Sequence, residues 1–316
     1  MTTQLSFIIV NWNGGELLRQ CIESVARFPP SVPFDIFVVD NASSDDSVKW
    51  LKSEGLAAHV PAKLHLIENS ENVGFSRANN QAIAESKSDM LFLLNPDTQV
   101  TEGAIDTLIN TLHLDERIGA CGPRLLNPDG SLQHSVWRNP PTPWEILTAG
   151  LGLWRLLPKR LRGELLLGGH WDHARRRDVP MLFGAALLAR REMIDDVGSL
   201  DERFHMYAED NEWCLRMRRG GWRVVFEPDA EIVHQGSPFS LQRWGTLGKL
   251  RAQTESSLDF QRRCLSRIHA IGNLAAGSLV MFFHKIWRTS RSRPREEIQL
   301  LLDIYLAGLR QTRSGT

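Results

Sequence analysis

The chain has 316 residues, 42% hydrophobic and 23% charged, a globular composition that is neither disordered nor collagen-like. Lys+Arg and Asp+Glu are both 37, so the net charge is zero, which argues against a protein wrapped in nucleic acid. The zero hides a split: residues 241–316 carry 13 basic and 5 acidic side chains, a net +8, and residues 1–240 carry the balancing −8.

Leu5–Val10 (LSFIIV) opens the chain as a continuous apolar run of strand length. Neither a basic region nor a small-residue cleavage site accompanies it, so no signal peptide is expected. Helical stretches at Gly15–Arg27, Ser44–Glu54 and Ser76–Ser86 alternate with strand-like runs at Phe34–Val39, Leu64–Ile67 and Met90–Leu94. Uninterrupted apolar runs suit strands buried on both faces of a parallel sheet, and the alternation predicts βαβ units. In open α/β sheets ligands bind beyond the carboxyl ends of the strands. Those ends carry Asn11-Trp-Asn-Gly-Gly15, Asp40-Asn41-Ala-Ser-Ser-Asp-Asp46 and Asn95-Pro-Asp-Thr98. Turn chemistry alone also favours Asn and Asp there, but three clusters on one edge make a candidate site.

Each cluster has a chemical use. Asp40 can accept the imide N–H of a uracil or thymine ring; its alternative is an N-cap, for which Ser43 and Ser44 are better suited. In Asn72-Val-Gly-Phe-Ser-Arg-Ala-Asn79, Gly74 permits close backbone approach to a ligand. Helix-start N–H groups and Arg77 could face a diphosphate. Asn95-Pro96-Asp97 sets an amide and a carboxylate two positions apart, oxygen ligands that suit Mg2+ or Mn2+ shared with substrate phosphates; an ordinary turn is the alternative.

Residues 131–180 change character. Pro140, Pro141 and Pro143 precede Trp144–Arg162, which mixes aromatics, leucines and a basic end, as an interfacial amphipathic element or a core helix would. Residues 208–219 have helical spacing, with Glu209 and Asp210 in the first turn. There the helix dipole favours negative charge, and an adjacent pair could serve as general base and neighbour. A strand at Gly221–Pro228 and then Val233-His234-Gln-Gly-Ser237 follow. Cys21, Cys121, Cys214 and Cys264 form no close pair, so reduced thiols in a cytosolic compartment are expected. Ile268–Trp287, the nearest candidate for a membrane span, is broken by His269, His284 and Lys285, and no span is expected. Arg262, Arg263, Arg267, Lys285, Arg288, Arg291, Arg293 and Arg295 flank its apolar stretch. That arrangement suits docking on anionic lipid; a solvated extension or a dimer contact is the alternative.

Taken in order, SFIIVNWNG, VVDNASSDDS, ENVGFSRANN, LLNPDT, FGAALLARRE…VGSLDERFHMYAEDNEWCLR and VHQGS resemble the inverting glycosyltransferases of family 2 over about three quarters of the chain. Within that family the Asn-Pro-Asp string and the Glu-Asp-x-x-x-Cys-x-Arg helix look most like rhamnosyltransferases that use dTDP-L-rhamnose. The resemblance implies a GT-A fold: a Rossmann-like, mostly parallel nucleotide-sugar-binding sheet with a helical C-terminal extension. The catalytic domain would span residues 1–240, with a nucleotide-binding half at 1–100 and an acceptor half at 101–240. Residues 241–316 would form the basic extension.

Roles follow from the resemblance. Asp40 would bind the pyrimidine, with Val10, Asn11 and Asn41 beside it. Asn72, Gly74, Arg77 and Asn79 would belong to the nucleotide-sugar pocket. Asp97 would hold Mg2+ or Mn2+ on the diphosphate, with His234 near the same metal and Asn95 replacing the usual first acidic residue. Asp210 would be the base, Glu209 its fallback, and Glu209 and Trp213 would line the acceptor and sugar pocket. A neutral Asn95 implies weaker or optional metal binding. The acceptor would be lipid-linked or a growing glycan, with the enzyme peripheral at the cytoplasmic face of the plasma membrane and a homo-oligomer possible. A UDP-hexose donor, a nucleotidyltransferase and a non-catalytic sugar-nucleotide-binding protein are the competing readings.

Overall fold

The computed structural model describes residues 5–53, 62–136, 141–158, 162, 167, 171–236, 238–286 and 294–314. Glu54, Pro140, residues 159–161, Ser237, Trp287, Arg288, Arg291 and Arg293, all invoked above, lie outside the described residues.

The elements run β1 (Leu5–Asn11), α1 (Gly15–Arg27), β2 (Phe34–Asp40), α2 (Ser47–Leu51), β3 (Lys63–Glu68), α3 (Phe75–Glu85), β4 (Met90–Leu94), β5 (Thr98–Val100), α4 (Ala104–His113) and β6 (Ile118–Leu126). Then come α5 (Pro143–Gly150), a 3₁₀ turn (Leu153–Leu156), β7 (Arg177–Asp178), β8 (Ala186–Arg190), α6 (Arg191–Val197), α7 (Glu209–Arg219) and β9 (Arg223–His234). Three helices close the chain: α8 (Pro238–Cys264), α9 (Arg267–Ile286) and α10 (Arg295–Ser314).

The strands form one sheet in the order β3-β2-β1-β4-β8-β6-β9-β5, with β7 paired to β9. β3, β2, β1 and β4 are parallel, as their continuous apolar runs predict. Beyond β4 the sheet is mixed. β8 runs antiparallel to β4 and β6, β6 and β9 are parallel, and β5 and β7 are antiparallel to β9. Since β8 is antiparallel to both β4 and β6, β6 and β9 run in the same direction as β1–β4, so the expected mostly parallel sheet holds, with β5, β7 and β8 reversed. Because β8 runs opposite to β4, its N-terminal end lies at the carboxyl end of β4, and the residues before it reach the ligand edge.

Helix α1 buries Leu18, Cys21, Ile22 and Val25, one stripe at helical spacing, against the sheet. These side chains join Phe7, Ile9, Ile36, Val38, Phe92 and Leu108 in one core. Burying each such side chain contributes about 1.5–3 kcal/mol.

The chain divides into two compact units, residues 1–137 with 173–239, and residues 138–172 with 240–316. In the second unit α8, α9 and α10 bring Leu258, Leu274 and Ile304 together, with Leu300, Tyr305 and Leu309 against them, and α5 packs along α9. Glycines let these helices approach. A Cβ on Gly277 would lie 2.8 Å from the Tyr305 ring, and one on Gly150 would lie 2.4 Å from Val280. Helix α5 starts with a capping box: the Thr142 hydroxyl accepts from the Glu145 N–H, and the Glu145 carboxylate accepts from the Thr142 N–H at 2.7 Å. Among the described residues no helix is long and apolar enough to cross a membrane.

Candidate active site

Parallel pairing sets Asn11 beside Asp40 at the carboxyl edge of β1 and β2. Both are buried. The Asp40 carboxylate accepts from Asn11 Nδ2 at 2.7 Å, from the Ser43 hydroxyl at 2.6 Å and from the Ser43 N–H at 2.9 Å. Asn11 Oδ1 in turn accepts from the Gly14 N–H. Three of the roughly four acceptor directions of the carboxylate are thus occupied, and one on Oδ2 is free for a ligand N–H. Ser43 was read from sequence only as a cap; here it holds Asp40. Val10 is buried in β1 just before Asn11.

Asn41 Nδ2 donates to the Gly74 carbonyl, and Asn72 Oδ1 accepts from the Gly74 N–H. Gly74 has φ +91°, and a Cβ there would lie 2.5 Å from His205 Nδ1. Its openness therefore admits the protein's own 200–205 loop rather than a ligand. The same loop takes the first helix N–H, because Phe75 donates to the His205 carbonyl at 2.9 Å. Ser76 Oγ donates to the Phe204 carbonyl, and Asn80 exchanges hydrogen bonds with the Leu200 backbone. Asn79 turns inward and donates to the Phe75 carbonyl of its own helix, so Asn80, not Asn79, makes the outward contact. Arg77 is exposed on α3.

Asp97 and His234 lie 137 positions apart in sequence and meet through β5–β9 pairing, where Thr98 opposes His234. His234 Nε2 is 3.3 Å from Asp97 Oδ1, and both side chains are buried. Gln133 fixes the ring. Its Nε2 donates to Asn127 Oδ1 and the His234 carbonyl, so its Oε1, 2.6 Å from His234 Nδ1, is the acceptor. Nδ1 therefore carries a hydrogen, and Nε2 is the ring atom that faces the Asp97 carboxylate. A ring nitrogen and a carboxylate oxygen set this close can share a cation, and the Nδ1–H bond is the usual outer support of a metal-binding histidine. The donor set fits a divalent metal held by few protein ligands together with substrate oxygens. Among the described residues no cluster of three or more His, Cys, Asp or Glu forms a closed metal cage. Asn95 is half-buried; its backbone N–H donates to the Ala185 carbonyl and its carbonyl accepts from Thr98.

Glu209 and Asp210 open α7 after two consecutive left-handed residues, Tyr207 and Ala208, both at φ +68°. Non-glycine residues held this way cost about 1–3 kcal/mol each, and such strain concentrates at functional sites. Asp210 accepts from the Gly184 N–H at 3.1 Å, from the Asn211 N–H at 2.7 Å and from Asn211 Nδ2 at 3.1 Å. Glu209 Oε2, by contrast, is buried without a hydrogen-bond partner. Burial raises both carboxyls; Glu209, further raised by the adjacent Asp210 charge, is pushed up to about 8. Desolvation thus outweighs the helix dipole. The donors gathered on Asp210 favour its ionised form, whereas Glu209, with Oε2 unpartnered, is the carboxyl better suited to hold a proton.

Residues 183–185 join these groups. Phe183 packs edge-on against the His234 ring at 5.9 Å, Gly184 donates to Asp210, and Ala185 accepts from Asn95. Trp213 is 1% exposed and donates to the Gly198 carbonyl, so it offers no surface to a ligand and anchors α7 instead. Burial pushes the thiols of Cys21 and Cys214 up to about 12 and raises Cys121 as well, which makes them poor nucleophiles.

The model of the family described as Glycosyl transferase family 2 matches residues 6–198. The chain belongs to that family. A second model, glycosyl transferase family group 2, matches residues 166–293. An N-acetylglucosaminyl-diphospho-decaprenol L-rhamnosyltransferase of Mycobacterium tuberculosis is 29% identical over 260 residues, covering 74% of this chain and 76% of the relative. A low-salt glycan biosynthesis hexosyltransferase of Haloferax volcanii is 29% identical over 273 residues, covering 84% of this chain and 76% of the relative. Among solved structures, a Pyrobaculum calidifontis mannosyltransferase in complex with GDP-Man and Mn2+ aligns with TM-score 0.55 at 16% identity, covering 100% of this chain and 76% of that one. Residues 1–349 of S. aureus TarS align with TM-score 0.53 at 12% identity, covering 99% and 92%. The fold is GT-A, and the family 2 transferase is rhamnosyltransferase-like.

Proposed function

We propose that this glycosyltransferase moves L-rhamnose from dTDP-rhamnose, with inversion, to a lipid-linked or polysaccharide acceptor. The observation that carries the chemistry is the unequal carboxyl pair: Asp210 ionised among three donors, Glu209 protonated and unpartnered. The acceptor hydroxyl oxygen attacks the anomeric carbon from the face opposite the nucleoside diphosphate. A carbon–oxygen bond forms to the acceptor, and the bond to the phosphate oxygen breaks. The diphosphate leaves with the bonding electrons, and the hydroxyl proton passes to Asp210. Burial raises the proton affinity of Asp210, as a general base requires. One displacement inverts the centre and needs no covalent intermediate, in keeping with the high thiol pKa values.

Asp40, with one acceptor direction free, would take the imide N–H of thymine. Asp97 and His234 would hold Mg2+ or Mn2+, with Asn95 adding a neutral oxygen. When bound, the cation would neutralise charge on the departing diphosphate. Arg77, exposed at the start of α3, is a cation whose charge could meet the same phosphates.

The M. tuberculosis relative, by its name a rhamnosyltransferase acting on a lipid-linked sugar, supports both donor and acceptor classes. A UDP-hexose donor is the second reading. The Haloferax relative is named a hexosyltransferase, and uracil offers Asp40 the same imide N–H. Measuring dTDP or UDP release from a panel of nucleotide sugars, with and without Mn2+, tests the reading. Faster turnover of UDP-glucose than of dTDP-rhamnose would overturn the donor assignment.

A further inference from the structure

Helix α9 is apolar on two opposite faces. Ala270, Leu274, Ala276, Gly277 and Val280 are buried within the second unit. On the other side Ile268, Leu279, Phe282, Phe283 and Ile286 face solvent at 86%, 56%, 53%, 42% and 59% exposure. Their spacing of 11, 3, 1 and 3 residues keeps them within about 60° of a common line at 100° per residue. A helix that is apolar all round belongs in a core or in lipid, yet no described helix is long and apolar enough to span a bilayer.

The neighbouring element extends this surface. Pro143 packs against Gly272 and Gly150 against Val280, so α5 lies along α9. Trp144, next to the Pro143 contact, is 68% exposed, and Leu156 of the following turn is 83% exposed. Arg155 and Arg162 flank Trp154, each with its guanidinium over the indole.

The charge on this surface has one sign. Helix α9 contains no Asp or Glu and carries Arg267 and Lys285 at its ends. Glu145, the acidic residue of α5, is engaged in the capping box. A continuous apolar stripe bordered by cations matches a lipid surface with anionic headgroups.

We propose that the solvent-facing stripe of α9, with Trp144 and Leu156 beside it, docks in the interfacial layer of an anionic bilayer. The inference rests on the reading of a lipid-linked acceptor and specifies the surface that would hold the enzyme where such an acceptor resides. The stripe enters the headgroup boundary without crossing it, and the arginines and Lys285 meet lipid phosphates.

The test is co-sedimentation of the full chain with phosphatidylglycerol–phosphatidylcholine vesicles and with phosphatidylcholine vesicles, at low and high salt. Strong partition to the anionic vesicles is expected, weakened by salt. A Phe282→Ser/Phe283→Ser/Ile286→Ser variant should lose it at least tenfold, with a melting temperature close to wild type because these side chains lie outside the Leu258–Leu274–Ile304 cluster. A Lys285→Glu variant should weaken binding at low salt only. Equal partition of wild type and triple variant, or no binding to anionic vesicles, would overturn the proposal. So would a wild-type dimer in sedimentation velocity that the triple variant dissolves without any vesicle binding, since a second copy of the chain would then be the occupant. Nucleoside diphosphate release in detergent solution keeps the two readings apart. Turnover without vesicle binding refutes this surface alone; vesicle binding without turnover on any donor leaves the surface standing and refutes the transferase reading on which it was built.

Discussion

Asp210 and Glu209 are adjacent in sequence, share a helix turn and are both buried, yet their surroundings give them different jobs. Replacing Asp210 with Asn removes the proposed base while keeping an acceptor oxygen. Turnover should fall ~10²–10⁴-fold, with nucleotide affinity by calorimetry nearly unchanged; near-normal turnover would sink the assignment. Glu209 makes a prediction about stability. Its folded pKa is raised from 4.5 to about 8, so the folded chain keeps a proton that the unfolded chain releases. The stability this contributes is fully present below pH 4.5 and is lost as pH rises to about 8. Glu209→Gln, which mimics the protonated acid, should flatten that decline in a series of thermal melts across pH; an unchanged pH profile would show that the proton resides elsewhere. Gln133 acts through His234. Gln133→Ala should weaken Mn2+ binding about 10–100-fold, read by titration of the free ion without substrate, and no change would remove it from the metal reading. The string Asn-Pro-Asp occurs twice in the chain. At 127–129 it is a surface turn whose Asp129 accepts from Ser131, whereas at 95–97 its Asp97 is buried against His234. The string alone was therefore ambiguous, and only strand pairing separates a turn from a site. Gln133 left no signal in the sequence because its role depends on a partner 101 positions away.

Elements were more legible than contacts. Strands β1, β2 and β4 are buried on both faces and announce themselves as apolar runs, and α1 was readable to its ends because its buried stripe is regular. β9 runs past the expected Pro228 to His234, since Pro228 coincides with a shift in register between β6 and β9 where the ladder is already interrupted. Helix α2 covers only part of the expected span because Asp40, Asn13 and Asp45 tie residues 43–47 into turns through their side chains. Gly74 was singled out for close approach to a ligand, and what lies against it is the 200–205 loop, a long-range contact that no local pattern encodes. Gly74→Ala combines a strained φ with a clash against His205 and should cost about 1–3 kcal/mol, a drop of several degrees in melting temperature. Activity should fall with it, since the same loop leads into Asp210; an unaltered melt and rate would mean the loop adapts freely.

Across the whole molecule the charge split follows the structural division more closely than the linear one. Residues 138–172 with 240–316 carry 18 basic and 8 acidic side chains, a net +10, against −10 for the remainder. Adding the internal segment strengthens the contrast first seen at residue 241, because Arg138, Arg155, Lys159, Arg160 and Arg162 join the basic side. The internal segment belongs structurally with the C-terminal helices. Helix α5 finds its packing partner in α9, more than a hundred residues later in the chain, so its folding must wait until the C-terminal helices have been made. A truncation after residue 240 would therefore not be a clean excision: it would leave helix α5 permanently without its packing partner. Hydrogen exchange on such a fragment should find the amides of 143–150 unprotected, while a chain relieved of both 138–172 and 240–316 should express as the better-behaved protein.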